Sequence, residues 1–298
     1  MKLTMTILLA AVLSLRAAPR QDSLLVMFWN LENFYDTHDG GTSASDSEFS
    51  PGGARHWTRR RYSMKCNAVA KIILKAADTY GSLPDVIGFA EVENRKVVED
   101  IVLGTPLRKL GYRIVHYDSP DHRGIDCALI YRKSSLELTG SAPLHLYGTD
   151  GSIIATRDIL LARFGKLAVL VNHHPSKVGQ GSEERRQTAM RRMHEACDSL
   201  ETAGVERILC IGDFNDDVWH SDSNLGTIKY EGAWEKIDGC FHRGFSVIEE
   251  HIFDDPSLLT KDASYGGQKP LRCWSGPRWL GGVSDHLPIV IKTGTPRE

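Results

Sequence analysis

Short apolar runs recur along the chain and end abruptly in polar residues. Leu24–Trp29, Val86–Ala90, Tyr112–His116, Asp126–Tyr131, Leu136–Leu146, Ile153–Phe164, Leu167–Asn172, Arg207–Ile211, Glu235–Phe241, Phe245–Ile252 and Leu287–Ile291 are rich in Val, Ile and Leu. Gly, Asp and Pro turn signals separate them, so each is expected to be a strand. Helical spacing instead marks Arg59–Ala77, Val97–Leu110 and Ser182–Ala203. In the last, Ser182 is expected to cap the helix, acidic residues fill the first turn, and Ala189, Met193, Ala196 and Leu200 fall on one face. Helices follow the first, second and seventh strands, a mixture that suggests two stacked sheets with helices outside, in one domain over residues 22–298. Two stretches break the pattern. Asp36–His56, rich in Gly, Ser and Asp, is expected to be a mobile loop, and Asp254–Gly282 is a second long irregular segment.

Composition adds limits. The 298 residues are 41% hydrophobic and 25% charged, ordinary for a globular protein with a sizeable core. The net charge of −2 offers no general attraction for a polyanion, so a nucleic-acid substrate would have to be held by a few local Arg and Lys residues plus metal. Lys2 followed by the apolar Leu3–Leu15 reads as a signal peptide over residues 1–18, too short to span a bilayer comfortably. The first cysteine is Cys66, which argues against a lipid anchor and leaves an exported chain, periplasmic or secreted. Six cysteines would permit three disulfides in an oxidising compartment. Most sit in apolar runs such as Ile208–Ile211 and read as small buried hydrophobes. No spacing suits structural zinc.

The chemistry lies where the runs end. Asn30 and Glu32 follow the first strand, Glu91 the second, His173 and His174 the seventh, Asp213 and Asn215 the eighth, and Asp285 and His286 precede the last. Asp213 and Asn215 are two apart and share a face if extended. The acid can orient or deprotonate water and the amide can donate to a developing oxyanion, although Gly-Asp-x-Asn is also good turn chemistry. Glu91 with Asn30, Glu32 and Asp285 makes an all-oxygen set that suits Mg²⁺, Mn²⁺ or Ca²⁺. Asp238, in an apolar context, is expected to pair with His286. His173 is the second imidazole, with Asp126 as the partner that could orient it. His174 points the opposite way and reads as structural. Arg157, Arg123 and Lys177 are expected near phosphate oxygens. Arg59–Arg61 reads as a solvated helix face, with phosphate binding as the minority reading.

In this order, Phe28-Trp29-Asn30-Leu31-Glu32-Asn33, Arg123-Gly124-Ile125-Asp126, Gly212-Asp213-Phe214-Asn215 and Gly281-Gly282-Val283-Ser284-Asp285-His286-Leu287-Pro288 resemble the endonuclease/exonuclease/phosphatase superfamily, with its deoxyribonuclease-I-like fold. The likeness covers about residues 24–293 and looks most like the secreted bacterial members. It implies an α/β (α+β) four-layer sandwich of two mainly antiparallel sheets flanked by helices. By the resemblance, Glu91, Asn30, Glu32 and Asp285 belong to the metal site, and Asp213 and Asn215 flank the attacking water. His286 with Asp238, and His173, complete the catalytic set, while Arg157, Asn30, His173 and Asn215 contact phosphate. The implied activity is Mg²⁺- or Mn²⁺-dependent phosphoester hydrolysis, with nucleic acid as first substrate. A sphingomyelinase-type lipid phosphodiesterase, a small-molecule phosphatase and an inactive binding module of the same fold are the alternatives. A monomer with neither a protein partner nor a stable membrane anchor is expected.

Overall fold

The computed structural model describes residues 23–40, 43–177, 179, 181–218 and 225–294. The signal-peptide expectation falls outside them. Eleven strands form two sheets. They are β1 (Leu25–Phe34), β2 (Val86–Val92), β3 (Tyr112–His116), β4 (Asp126–Arg132), β5 (Gly140–Leu144), β6 (Ile159–Phe164), β7 (Leu167–His173), β8 (Arg207–Asp213), β9 (Asp238–Arg243), β10 (Val247–Ile252) and β11 (Ile289–Gly294). The first sheet has the order β10-β11-β1-β2-β4-β3 and the second β9-β8-β7-β6-β5. Only β1–β2 and β7–β8 pair in parallel; the other pairings within these sheets are antiparallel. Each parallel pair encloses a long helix, as a parallel crossover requires. These are α2 (Arg59–Tyr80) and α4 (Ser182–Thr202); α1 (Ala44–Glu48) precedes α2, and α3 (Arg95–Leu103) follows β2.

Alternation along the strands assigns the layers. In β1, Val26 and Phe28 meet Val169, Val171, Leu209 and Ile211 between the sheets, while Met27, Trp29 and Leu31 pack towards α2 and α3. In the second sheet Ala168, Leu170, Ile208 and Cys210 face the other way, onto Ala189, Met193 and Leu200 of α4. The result is the four-layer order of helix, sheet, sheet and helix. Among the described residues no helix is long and apolar enough to cross a membrane.

Several element ends depart from expectation. The helix expected over Val97–Leu110 stops at Leu103, because Gly104 caps it and Pro106 cannot donate to a continuing helix; a 3₁₀ turn spans Pro106–Lys109. Ser182 is not the cap of α4. Gly181, at φ 70°, holds that position without a side-chain bond, and Ser182 Oγ donates back to the carbonyl of Lys177. The run Glu235–Phe241 splits into a short strand Ala233–Glu235 and β9. Asp36–His56 holds α1 and buries Phe49, whose ring stacks on Tyr35 at 4.6 Å. Asp254–Gly282 forms two small hairpins, Leu259–Lys261 with Gln268–Pro270 and Trp274–Ser275 with Arg278–Trp279.

Candidate active site

The same alternation carries polar groups to one rim between the sheets. His173 continues the face of Val169 and Val171, Asp213 that of Leu209 and Ile211, and Asn30 that of Val26 and Phe28. His174 takes the opposite face, its ring set edge-on to Phe214. Glu91 is different. With Ile87 and Phe89 facing the helices, a regular strand would aim Glu91 there too. Instead Glu91 is left-handed at φ 61° and the β2 pairing shifts register between Ala90 and Val92. Such a bulge re-aims the side chain, at a backbone cost of about 1–3 kcal/mol. Glu32, Asn33 and Asn215 are also left-handed, at φ 47°, 46° and 50°, all at strand ends around this rim. Gly212 is required by close approach, since a Cβ there would lie 2.4 Å from the carbonyl oxygen of Asn172.

Asp213 lies at the centre. Its Oδ2 accepts from Asn30 Nδ2 at 3.0 Å and lies 3.8 Å from His173 Nε2 and 3.9 Å from His286 Nε2. His173 Nε2 is also 3.7 Å from Glu91 Oε1, which Arg123 Nη1 approaches at 3.8 Å. Behind His286, Nδ1 meets Asp238 Oδ2 at 2.8 Å. Burial first, and then Asp238, push the Asp213 carboxyl up to about 7. Burial opposes charge on His286, but the Asp238 carboxylate outweighs it and holds the imidazole well above its ordinary value. Burial, reinforced by Arg157 and Arg123, keeps His173 far below its own. The two imidazoles are therefore pushed in opposite directions, His286 towards the cationic form and His173 towards the neutral one.

The residues expected to bind metal divide into two groups. Glu91 and Asn30 face the cluster, although Asn30 Oδ1 already accepts from the N–H of Glu32 at 3.0 Å. Glu32 does not face it. Its Oε2 accepts from the N–H of Cys273 at 2.6 Å, its Oε1 from that of Trp274 at 3.3 Å, and Arg272 Nε lies 3.3 Å from Oε1. Asp285 is held by Arg272 Nη2 at 2.9 Å. Amide and guanidinium donors thus occupy Glu32 and Asp285, while Glu91 keeps Oε1 towards His173 and Arg123. Oxygens of Glu91 and Asp213 flank His173 Nε2, and Asp213, Asp238 and His286 bring ligand atoms within 4.8 Å of one another, a donor group that could hold a divalent cation.

The residues expected to contact phosphate have protein partners of their own. Arg157 is buried, donating to Asp121 Oδ2 at 3.2 Å and to the carbonyl of His174 at 2.8 Å, so it braces the rim from behind. Asn215 Nδ2 donates to the same carbonyl at 3.0 Å, and its N–H donates to Asp213 Oδ1 at 3.0 Å. In this arrangement it fixes the turn after β8. Lys177 pairs with Glu235 on the surface. Asp126 does not orient His173; its Oδ2 lies 3.2 Å from His116 Nε2.

With this geometry, the sequence comparison is decisive: the Endonuclease/Exonuclease/phosphatase family model matches residues 25–229. The chain belongs to that family. No curated protein matches it. Solved structures share the fold, a DNase I-like one. They include TDP2 from C. elegans (15% identity, TM-score 0.57, 92% of this chain and 75% of that one). An endonuclease/exonuclease/phosphatase family protein from Bacteroides thetaiotaomicron matches at 16% identity and TM-score 0.54, covering 93% and 99%. A mannosyl-6-phosphatase from the same organism matches at 16% and 0.52, covering 91% and 99%.

This family member also uses supporting residues that its sequence did not reveal. Ser284 Oγ donates to the carbonyl of Asn30 at 2.6 Å and accepts from the N–H of His286 at 3.0 Å, joining the last loop to β1. Trp29 Nε1 donates to the carbonyl of His286 at 2.9 Å. Adjacency in Ser284-Asp285-His286 was a signal for Ser284. Nothing in the local sequence marked Arg272, which acts across 240 positions on Glu32.

Proposed function

We propose that the protein is an exported, divalent-metal-dependent phosphodiesterase acting on nucleic acid. The observation that carries the reading is the convergence of Glu91, His173, Asp213 and His286 through contacts of 3.7–3.9 Å, with Asp238 fixing His286 from behind. Such a chain of carboxylates and imidazoles serves hydrolysis at phosphorus better than a structural core, where each buried charge would cost free energy.

Glu91 would hold Mg²⁺ or Mn²⁺, with Ca²⁺ also possible; when bound, the ion would supply positive charge to a phosphoryl oxygen. The protein's own groups do the rest. Asp213, aligned by the Asn30 amide, takes a proton from the attacking water. The imidazolium of His286 donates to a phosphoryl oxygen as negative charge gathers there, and Asp238 keeps that ring protonated and oriented. His173, neutral, offers Nε2 to the same space. Arg123, partly exposed beside Glu91, adds a guanidinium at the mouth.

The direct test is hydrolysis of bis(4-nitrophenyl) phosphate with Mg²⁺, with EDTA, and by Asp213→Asn. Turnover unaffected by EDTA and by the substitution would refute the mechanism. Parallel incubations with plasmid DNA, RNA and sphingomyelin liposomes test the substrate, and cleavage of the lipid alone would overturn the nucleic-acid assignment.

A further inference from the structure

The first turns of α2 and the hairpin Trp274–Trp279 enclose a concave cavity of about 440 Å³, lined by His56, Thr58, Arg60, Arg61, Met64 and Trp279. No carboxylate lines it. In a chain of net charge −2, a recess walled by two arginines is a local excess of positive charge. The Arg61 guanidinium lies 5.0 Å from the centroid of the Trp279 ring, and its hydrogen bonds go to the backbone carbonyls of Arg55 and His56. Arg60 is exposed, as is Arg278 on the hairpin beside Trp279. Met64, in the lining, exposes apolar surface beside these charges, at 47%.

The cavity is tied to the catalytic rim. Glu32, two residues beyond Asn30, holds the N–H groups of Cys273 and Trp274, and Trp274 pairs with Trp279. Arg272 joins Glu32 to Asp285, the neighbour of His286. These bonds fix the hairpin that walls the recess to the loop that carries His286.

We propose that the cavity binds single-stranded nucleic acid flanking the scissile phosphate. The inference rests on the phosphodiesterase reading of the neighbouring rim and names the form of its substrate. Phosphates alternate with planar rings along a single strand. Guanidinium groups interleaved with Trp279 and Met64 match both features, whereas a duplex keeps its ring faces stacked out of reach. The arginine cluster at the start of α2 then has a use beyond keeping a helix face solvated.

The test measures binding of a 5′-fluorescein-labelled twelve-residue oligothymidylate by anisotropy, with the full chain in EDTA so that nothing is cleaved. The expected result is salt-sensitive binding that weakens about tenfold in Arg60→Glu and further when Arg278→Glu is added. Met64→Glu, at an exposed position, should weaken it by a separate route. Wild-type protein that binds no oligonucleotide, or a double variant that binds as tightly as wild type, would overturn the proposal. So would binding confined to phosphatidylglycerol vesicles, which would make the surface a lipid contact. Turnover of bis(4-nitrophenyl) phosphate by the wild type is read separately. Its absence would count against the catalytic reading, while the anisotropy still decides the cavity.

Discussion

Glu91 Oε2 accepts a hydrogen bond from the N–H of Asn33 at 2.7 Å, so the two left-handed strand ends of β1 and β2 hold each other in place. The bond leaves the other oxygen, Oε1, turned to His173 and Arg123. One carboxylate thereby secures the bulge and presents a ligand atom.

Glu91→Gln keeps an acceptor for Asn33 but removes the charge. The fold should survive, while the rise in Tm on adding Mg²⁺ disappears and hydrolysis drops by about 100-fold or more. Thermal melts with and without Mg²⁺ check this. A variant that still gains the wild-type increment would remove Glu91 from the metal site.

Asp238→Asn leaves the shape of the pair intact and withdraws its charge. Because Asp213 is pushed up to about 7, the wild-type rate should rise with pH through that region as its carboxyl ionises. The alkaline fall should come only well above the usual imidazole range, where His286 finally loses its proton. In Asp238→Asn the rate should fall about 10³-fold, and the alkaline limb should move to lower pH. Profiles of kcat/KM against pH are the readout, and an unmoved alkaline limb would reject the assignment of His286 as the cation.

Glu250, on β10 and bonded to Cys240 of β9, gives a prediction about stability. Burial pushes its carboxyl up to about 8 from an ordinary 4.5, partly offset by a bond with Cys240. The folded chain therefore binds more protons than the unfolded one between these values, and stability should decline as pH rises through that window. Glu250→Gln cannot ionise. Its Tm should match that of wild type near pH 4 and exceed it increasingly towards pH 9. Parallel melts across that range would exclude the effect if the two curves stay superimposed.

Most of the architecture was legible because alternation and turn chemistry are local. The three long helical segments and the strands facing both cores announce themselves through residues such as Val169, Val171, Leu209 and Ile211. The opposite facing of His173 and His174 follows from the same period of two. The direction of Glu91 did not follow from it, since a left-handed residue inside a strand reverses the parity on which such reasoning depends. The bonds of Glu32 and Asp285 were illegible for another reason. Their fate is set by Arg272 and two backbone N–H groups from a hairpin whose position no local pattern encodes. Asn215 and Arg157 show the same limit, with donors spent on one carbonyl, that of His174.

Strand β1 pairs with β2 on one side and with β11 on the other, where Leu25 lies opposite Lys292. The larger sheet thus cannot close until its final strand is available. During synthesis the first strand waits, one edge unpaired, until residues 289–294 emerge, and His286 reaches Asp213 only when that segment is in place. Assembly order itself delays the gathering of the rim until both strands that flank β1 exist.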